Sequence, residues 1–164
     1  MDLQKLWTQR EIKIIKSDIM EECIFCKIAQ DKIDSEKIYE NENTVSFLDI
    51  NPRAPGHSLV IPKKHVKNLI NLDDEIVSEL FKVTKKVEKL LKSSIEPDAF
   101  TIGINEGEEA GQEISHLHVN IIPRFKRDGG GPVQSVVKNP PKKEISKIGK
   151  MIRESLKINK THSK

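Results

Sequence analysis

Residues 111–124, GQEISHLHVNIIPR, contain the pattern that most strongly indicates the fold of this chain. Polar and apolar side chains alternate through its centre in the order His116, Leu117, His118, Val119, Asn120, Ile121. Because a β-strand sends successive side chains to opposite faces, the alternation predicts a strand over residues 115–123 with both imidazoles and the amide in one row. A half-exposed strand without chemistry gives the same alternation, so the pattern alone leaves both interpretations open.

On the N-terminal side of this segment, further short stretches of the chain are predicted to be extended. Turn residues separate predicted strands at residues 37–40, 44–48, 58–61 and 99–105. Between the third and fourth of these, residues 73–94 carry apolar side chains at helical spacing, and Asn71 or Asp73 can cap that helix. Strands interrupted by one long helix predict an α+β domain, in which helices cover one face of an antiparallel sheet of about five strands.

The two ends of the chain are predicted to be helical. Loosely spaced apolar residues indicate a helical extension over residues 1–20, ahead of a main domain at residues 21–130. Residues 128–132 include three consecutive glycines and are expected to form a mobile loop. The final segment, residues 131–164, carries the apolar stripe of an amphipathic helix at Ile145, Ile148, Ile152 and Leu156.

The composition is that of an ordinary soluble domain. Hydrophobic residues make up 36% and charged residues 32% of the 164 residues, and no apolar run approaches the roughly 20 residues of a membrane span. The first residues mix acidic and basic side chains, so they lack the apolar stretch of a secretory signal. We therefore expect a cytoplasmic protein with no membrane partner.

Positive charge is concentrated at the C-terminal end, although the net charge of the whole chain is only +3. From Lys138 onward, eight lysines and Arg153 outnumber Glu144 and Glu154, a local balance of about +7. Such a segment can contact RNA, DNA or acidic lipid, but it has no aromatic residues for base stacking. We interpret it as a solubilising tail and keep nucleic-acid binding as the alternative.

The two cysteines of the chain, Cys23 and Cys26, form the pattern C-I-F-C. In a reducing compartment a structural disulfide at this spacing is disfavoured. A pair of metal ligands, a redox dithiol and a buried pair remain as interpretations, although the chain lacks the βαβ context of a thioredoxin-like dithiol.

Three segments together resemble the histidine triad (HIT) family. They are CIFCKIAQDKI at residues 23–33, FLDINPRAPGHSLVIPKKH at residues 47–65 and NEGEEAGQEISHLHVNIIPR at residues 105–124. The resemblance is closest to the Hint-like, zinc-binding branch, and it covers about residues 23–124. It implies a HIT-like fold that forms a homodimer through a continuous antiparallel sheet.

The resemblance also implies a set of catalytic residues. The family pattern is His-apolar-His-apolar-His, and its middle histidine attacks the α-phosphorus of a nucleotide to form a nucleotidyl-histidine; the matching residue is His118. His116 matches the first histidine, whereas Asn120 stands where the family has its third. His57 matches a further histidine near the phosphate. An amide can exchange hydrogen bonds with phosphate but cannot titrate near neutral pH.

Further matches imply a nucleotide-binding site. Asp49 matches the carboxylate that holds the ribose hydroxyls, and Asn105 matches an amide near the α-phosphate. Gln112 and Glu113 occupy the turn around the phosphate, where a carboxylate can repel phosphate or donate a proton. The resemblance implies an apolar slot for the base, for which core packing is an equally good explanation, at Phe25, Ile28, Phe47 and Ile50.

The zinc-binding members imply a ligand set of Cys23, Cys26, His65 and His116. Two thiolates and two imidazoles suit tetrahedral zinc, and four protein ligands make the site structural. For His65, which follows two lysines, an ordinary surface histidine is the alternative.

These residues lead to one principal functional hypothesis. It is a hydrolase or nucleotidyl transferase acting on purine nucleotide derivatives, either phosphoramidates or dinucleoside polyphosphates. A nucleotide-binding regulator with little turnover is the alternative favoured by Asn120 and Glu113. A nucleic-acid adaptor built on the basic tail is a third possibility.

Overall fold

The centre of the chain is an antiparallel sheet, seen in a computed structural model that describes residues 22–161. Its strands are β1 (Lys37–Glu40), β2 (Thr44–Leu48), β3 (Ser58–Pro62), β4 (Ala99–Gly103) and β5 (Val119–Arg124). Their order in the sheet is β1-β2-β3-β5-β4, and every neighbouring pair is antiparallel. The predicted α+β fold is therefore confirmed. The predicted extension at residues 1–20 lies outside the described residues.

Within residues 24–161, the α-helices are α1 (Ile24–Ala29), α2 (Asp74–Ile95) and α3 (Ile145–Thr161). Residues 73–94 predicted α2 to within one residue at each end. The expected capping role of Asp73 is wrong, because its side chain makes no cap hydrogen bond and instead accepts one from Lys64 Nζ at 2.7 Å. The six-residue α1 had no periodicity from which to predict it.

Two hydrophobic clusters pack against opposite faces of the sheet. One joins the buried side of α2 to Val60, Val119 and Ile121. The other joins α1 to β2 and β3, including Leu59 on the face opposite Val60. Helices therefore pack on both faces, not on one as expected, because the short α1 buries Phe25 and Ile28 against the second face.

The predicted strand at residues 115–123 is too long at its N-terminal end. β5 begins only at Val119, and the alternation of buried and half-exposed side chains runs from Leu117 to Ile121. It fails at His116, which is fully buried beside the buried Leu117. The reason is that this stretch bonds a loop instead of the sheet, since Leu117 N–H donates to the carbonyl oxygen of Val66 at 2.7 Å.

Residues 131–161 form a unit separate from the sheet domain. This unit contains a short 3₁₀ helix, Val133–Val136, and α3. In the described part of α3, the apolar Ile145 and Ile152 and the basic Lys147, Lys150 and Arg153 are all exposed. Among the described residues, the helices are too short or too polar to cross a membrane.

Candidate active site and metal-binding cluster

His118 lies immediately before β5, half-exposed, with one ring nitrogen fixed by the backbone. Its Nδ1 lies 2.8 Å from the carbonyl oxygen of His116. A carbonyl oxygen only accepts, so Nδ1 carries the ring proton and the lone pair is left on Nε2. The edge of the Phe25 ring packs against this imidazole, with 5.4 Å between ring centroids. His118 is therefore held in the tautomer that has a nucleophilic Nε2.

Asn120 follows on the same side of β5, opposite Leu59 of β3. Its Oδ1 lies 3.1 Å from Nε2 of His57. The other ring nitrogen of His57, Nδ1, accepts a hydrogen bond from the backbone N–H of Arg53 at 3.2 Å. The structure thus brings together His57 and Asn120, which are 63 positions apart in the sequence.

A tight turn positions His57 at the start of β3. Gly56 has a φ of +79°, and a Cβ at this position would lie 2.5 Å from Cδ1 of Ile95. The left-handed backbone therefore favours glycine, and a larger residue would also have to displace the side chain of Ile95 in α2. The turn also places Asp49 near the ring of His57, with Oδ2 of Asp49 at 3.6 Å from Nδ1.

The four residues of the expected base slot do not share one environment. Phe25, Phe47 and Ile28 are buried members of the cluster under α1, and the rings of Phe25 and Phe47 meet edge-on at 5.5 Å. The ring of Phe25 also packs against the imidazole of His118. Ile50, in contrast, is 91% exposed, so its side chain makes almost no packing contact within the chain.

Gln112 and Glu113 border a groove of about 300 Å³. Gln112 links two segments, because Nε2 donates to the carbonyl oxygen of Lys67 and Oε1 accepts from Gly107 N–H, both at 2.8 Å. Glu113 and Asn105 are exposed, and Asn105 does not line this groove. The groove is lined by Lys67, Asn68, Gly107, Glu108, Gln112, Glu113 and Ser115.

The four predicted metal ligands converge, with one ligand atom from each lying within 4.8 Å of the others. Cys26 Sγ is 3.2 Å from Nδ1 of His65, and Nδ1 of His116 is 3.5 Å from both sulfurs. Bonds of about 2.3 Å from zinc to sulfur and about 2.0 Å to nitrogen, at tetrahedral angles, place sulfur and nitrogen about 3.5 Å apart. The cluster therefore fits a tetrahedral metal ion.

The protonation states of the cluster also suit a metal. Burial lowers the pKa of His116 to about 4, so its ring is neutral near pH 7. Nε2 of His116 lies 2.9 Å from the carbonyl oxygen of Pro62, which leaves the Nδ1 lone pair to face the two sulfurs. Burial, together with the nearby Cys23, raises the pKa of the Cys26 thiol to about 12, so forming its thiolate requires a compensating cation.

His116 connects the metal cluster to His118. Its side chain belongs to the cluster, while its backbone carbonyl fixes the tautomer of His118. Phe25, between the two cysteines in sequence, packs against both imidazoles, at 6.0 Å from His116. The row of three polar side chains expected on one strand face is therefore wrong for His116, which faces the sulfurs.

Sequence reasoning missed the backbone groups of this site. The carbonyl oxygens of His116 and Pro62 and the N–H of Arg53 set the orientation of three imidazoles. Every residue type carries the carbonyl and every type but proline carries the N–H, so no sequence signal distinguishes these groups.

Comparison with known proteins gives consistent results. Residues 30–127 match the HIT domain family. A HIT-like protein of Borreliella burgdorferi is 47% identical over 115 residues, which cover 68% of this chain and 82% of the relative. An adenosine 5'-monophosphoramidase of Saccharomyces cerevisiae is 36% identical over 138 residues, covering 82% of this chain and 80% of the relative.

Comparison of the fold with solved structures leads to the same family. A crystal structure of a HIT family member from Bacillus subtilis superposes with a TM-score of 0.72 at 36% identity, covering 81% of this chain and 96% of that chain. At the level of the family, the relatives support a nucleotide hydrolase. The family match spans most of the sheet domain, and the two relatives are 47% and 36% identical to the chain. The chain therefore belongs to the HIT family.

Proposed function

We propose that this protein hydrolyses, or transfers the nucleotidyl group of, purine nucleotide derivatives at the α-phosphate, with His118 as the nucleophile. The observation that carries the proposal is the contact between His118 Nδ1 and the carbonyl oxygen of His116 at 2.8 Å. It leaves Nε2 with a lone pair, and the His118 side chain as a whole is half-exposed. A neutral imidazole in this tautomer is a competent nucleophile near pH 7.

The reaction proceeds in two displacements at phosphorus. In the first, a bond forms between Nε2 of His118 and the α-phosphorus, and the bond from phosphorus to the leaving group breaks. The leaving group takes the bonding electron pair and a proton from solvent, and the attacking water returns a proton to solvent in the second displacement. In the second, water attacks the nucleotidyl-histidine, so the bond between nitrogen and phosphorus breaks and a nucleoside monophosphate leaves; another acceptor in place of water gives transfer.

We propose that the neighbouring polar residues bind the substrate. Asn120 stands in place of the third triad histidine, on the same side of β5 as His118, where its amide can donate to phosphate oxygens. Asp49, beside His57, is proposed to accept hydrogen bonds from the ribose hydroxyls. The ring of Phe25, 5.4 Å from His118, is the apolar surface that the base would contact.

We assign secondary roles to the remaining residues near the site. Gln112 is proposed to hold the turn near the phosphate, because it already bonds both Gly107 and Lys67. Glu113 and Asn105 are exposed and free to approach a ligand from solvent. A carboxylate at Glu113 disfavours a highly charged leaving group through repulsion. This favours a phosphoramidate over a dinucleoside polyphosphate as the substrate.

We also propose that the chain belongs to the zinc-binding branch of the family. The donor distances of 3.2–3.5 Å between sulfur and nitrogen support zinc held by Cys23, Cys26, His65 and His116. Bound zinc would supply a structural cross-link between α1, the segment after β3 and the segment before β5. Four protein ligands leave no open position for substrate.

The experiment that tests the function is a brief exposure of the protein to adenosine and guanosine phosphoramidates and dinucleoside polyphosphates. Intact-protein mass spectrometry measures covalent nucleotidyl-protein, and chromatography measures the released products. We expect a nucleotidyl adduct and a nucleoside monophosphate. Turnover without an adduct on His118 would contradict the covalent route.

A nucleotide-binding regulator is the second candidate, and the amide at Asn120 favours it, because an amide cannot carry the positive charge of a third imidazolium. In that case, calorimetry detects binding of AMP or GMP whereas the panel of substrates gives neither adduct nor product.

A further inference from the structure

His57 is held between two different hydrogen-bonding partners, and only one of them can set its tautomer. The side chain is only 4% exposed. The backbone N–H of Arg53, 3.2 Å from Nδ1, can only donate, so Nδ1 is an acceptor and the ring proton lies on Nε2. Asp49 Oδ2 is 3.6 Å from Nδ1, too far for a hydrogen bond.

The proton on Nε2 in turn decides how the amide of Asn120 is oriented. Nε2 of His57 lies 3.1 Å from Oδ1 of Asn120, and a donor there requires the carbonyl end of the amide to face it. The amide nitrogen must then point away from His57. Without such a partner the two ends of an asparagine amide are nearly equal in size, and the terminal torsion is broad and roughly two-fold.

The location of Asn120 gives this orientation a consequence for a ligand. Asn120 and His118 alternate with the buried Leu117, Val119 and Ile121, so both lie on the less buried side of this segment. An amide nitrogen turned away from His57 offers two N–H groups on that side. Such donors bind the oxygens of a phosphate, whereas a flipped amide would present its carbonyl oxygen and repel them.

We infer that His57 is a positioning residue that acts through Asn120, holding its amide with the N–H groups toward the α-phosphate. The inference rests on the proposed function only for the identity of the bound group. The relay runs from the Arg53 backbone to the His57 ring and on to the Asn120 amide, with the Asp49 carboxylate near Nδ1 but outside hydrogen-bond distance. It makes the site selective for hydrogen-bond acceptors, and thus for phosphate oxygens, at the position beside His118.

A double-mutant cycle tests the relay through AMP affinity, measured by calorimetry. His57→Leu removes the donor at similar volume, and Asn120→Ala removes the amide. We expect each variant to weaken AMP binding about tenfold, as for one hydrogen bond to a charged group, and the double variant to be no weaker than either within about twofold. Losses that multiply to about a hundredfold would show that His57 acts independently, and would overturn the inference.

His57→Gln is the matched conservative variant. Its amide can donate to Oδ1 of Asn120, so we expect AMP affinity within about threefold of the unmodified protein, in contrast to His57→Leu. If Gln loses as much as Leu, His57 does not act as a donor to Asn120. Thermal melting of all variants reports whether they fold.

Nitrogen-15 spectroscopy of the unmodified protein gives a test that needs neither a variant nor turnover. From the two hydrogen bonds we expect the proton of the His57 ring on Nε2 and none on Nδ1. The opposite tautomer, or a doubly protonated ring, overturns the relay. If the spectrum and the AMP cycle agree with the inference but no substrate turns over, the hydrolase proposal fails and the relay stands. If AMP does not bind, the assignment of phosphate as the bound group is overturned with the proposed function.

Discussion

Two histidines only two positions apart differ in chemistry because their rings occupy different surroundings. His116 is fully buried, has a pKa lowered to about 4 by that burial, and places Nδ1 between two sulfurs. His118 is half-exposed and uses its Nδ1 on the His116 carbonyl. The backbone carbonyl of His116 thus sets the tautomer of His118, while the side chain of His116 lies in the Cys and His cluster that could hold a metal ion.

The first prediction concerns His118. We expect His118→Ala to remove turnover and covalent labelling almost wholly, because no other side chain supplies the nucleophile. Single-turnover assays with an adenosine phosphoramidate, followed by mass spectrometry, measure both. Asn120→Ala is the matched control, since it alters the same side of the strand and keeps the nucleophile; it should still label. An alanine variant that turns over like the unmodified protein would refute the assignment.

A second prediction concerns the amide of Asn120, which we propose to stand at the third triad position. Asn120→His adds an imidazole whose lone pair can accept the hydrogen bond from His57 and whose protonated form can carry charge near the phosphate. We expect the fold to persist and hydrolysis to rise about tenfold, equivalent to about 1.4 kcal/mol of barrier. Rates from single-turnover assays of both proteins decide it, and an equal or lower rate in the variant counts against the prediction.

For individual residues, the sequence predicts which side chains come together better than it predicts how those side chains are oriented. The resemblance to the HIT family identified four Cys and His side chains whose ligand atoms meet within 4.8 Å. The tautomers of His57 and His118 depend on a backbone N–H and a backbone carbonyl, groups that nearly all residue types share. Ile50, which the resemblance assigned to the base slot, is almost fully exposed, and its role there stays a prediction.

Among the elements, α1 depends most on the metal cluster. It has only six residues, too few for an isolated helix, and the two cysteines lie at its start and within its first turn. Structural zinc contributes roughly 10 to 16 kcal/mol of apparent binding energy in small peptides. We expect Cys23→Ser to lower the melting temperature more than it lowers AMP affinity, with Glu22→Ser, an exposed neighbour, as the control. A native protein without zinc by elemental analysis would refute the site.

The same cluster predicts a dependence of stability on pH in metal-free protein. Burial raises the folded pKa of the Cys26 thiol to about 12, above the roughly 8.5 of an unfolded cysteine. The folded state then binds more protons than the unfolded state between these values, so its stabilisation is present below about pH 8.5 and lost as the pH rises. Urea unfolding of chelated protein should show this fall, and Cys26→Ser should remove it. A flat profile would contradict the prediction.

The sequence predicted the strands and α2 well, because the spacing of their apolar residues matches the spacing of their buried side chains. In α2 the buried face consists of Leu80, Val83, Val87 and Leu91. The start of β5 was predicted too early because His116 and its neighbours alternate in sequence but bond the loop at Val66. Tertiary contacts that divert a strand-like sequence leave no local signal.

In the whole molecule, the edge of the sheet at β4 is the feature that bears on assembly. Among residues 22–161, this strand bonds β5 on one side and lies at the edge of the sheet on the other. Exposed edges invite pairing with another chain, and Ile102 on β4 is 38% exposed. From these observations and the family resemblance we propose a homodimer, in which β4 of two chains joins their sheets into one.

The last prediction tests this assembly. We expect light scattering at micromolar concentration to give the mass of two chains, and Ile102→Lys to shift the equilibrium toward monomer, because like charges would meet across a symmetric edge. Ile70→Lys is the matched control: Ile70 is 89% exposed in a short 3₁₀ helix outside the sheet, so the same change there should leave the mass unaltered. If the unmodified protein has the mass of one chain at every accessible concentration, the edge of β4 has no partner of its own kind. If both lysine variants dissociate the dimer equally, the interface lies elsewhere.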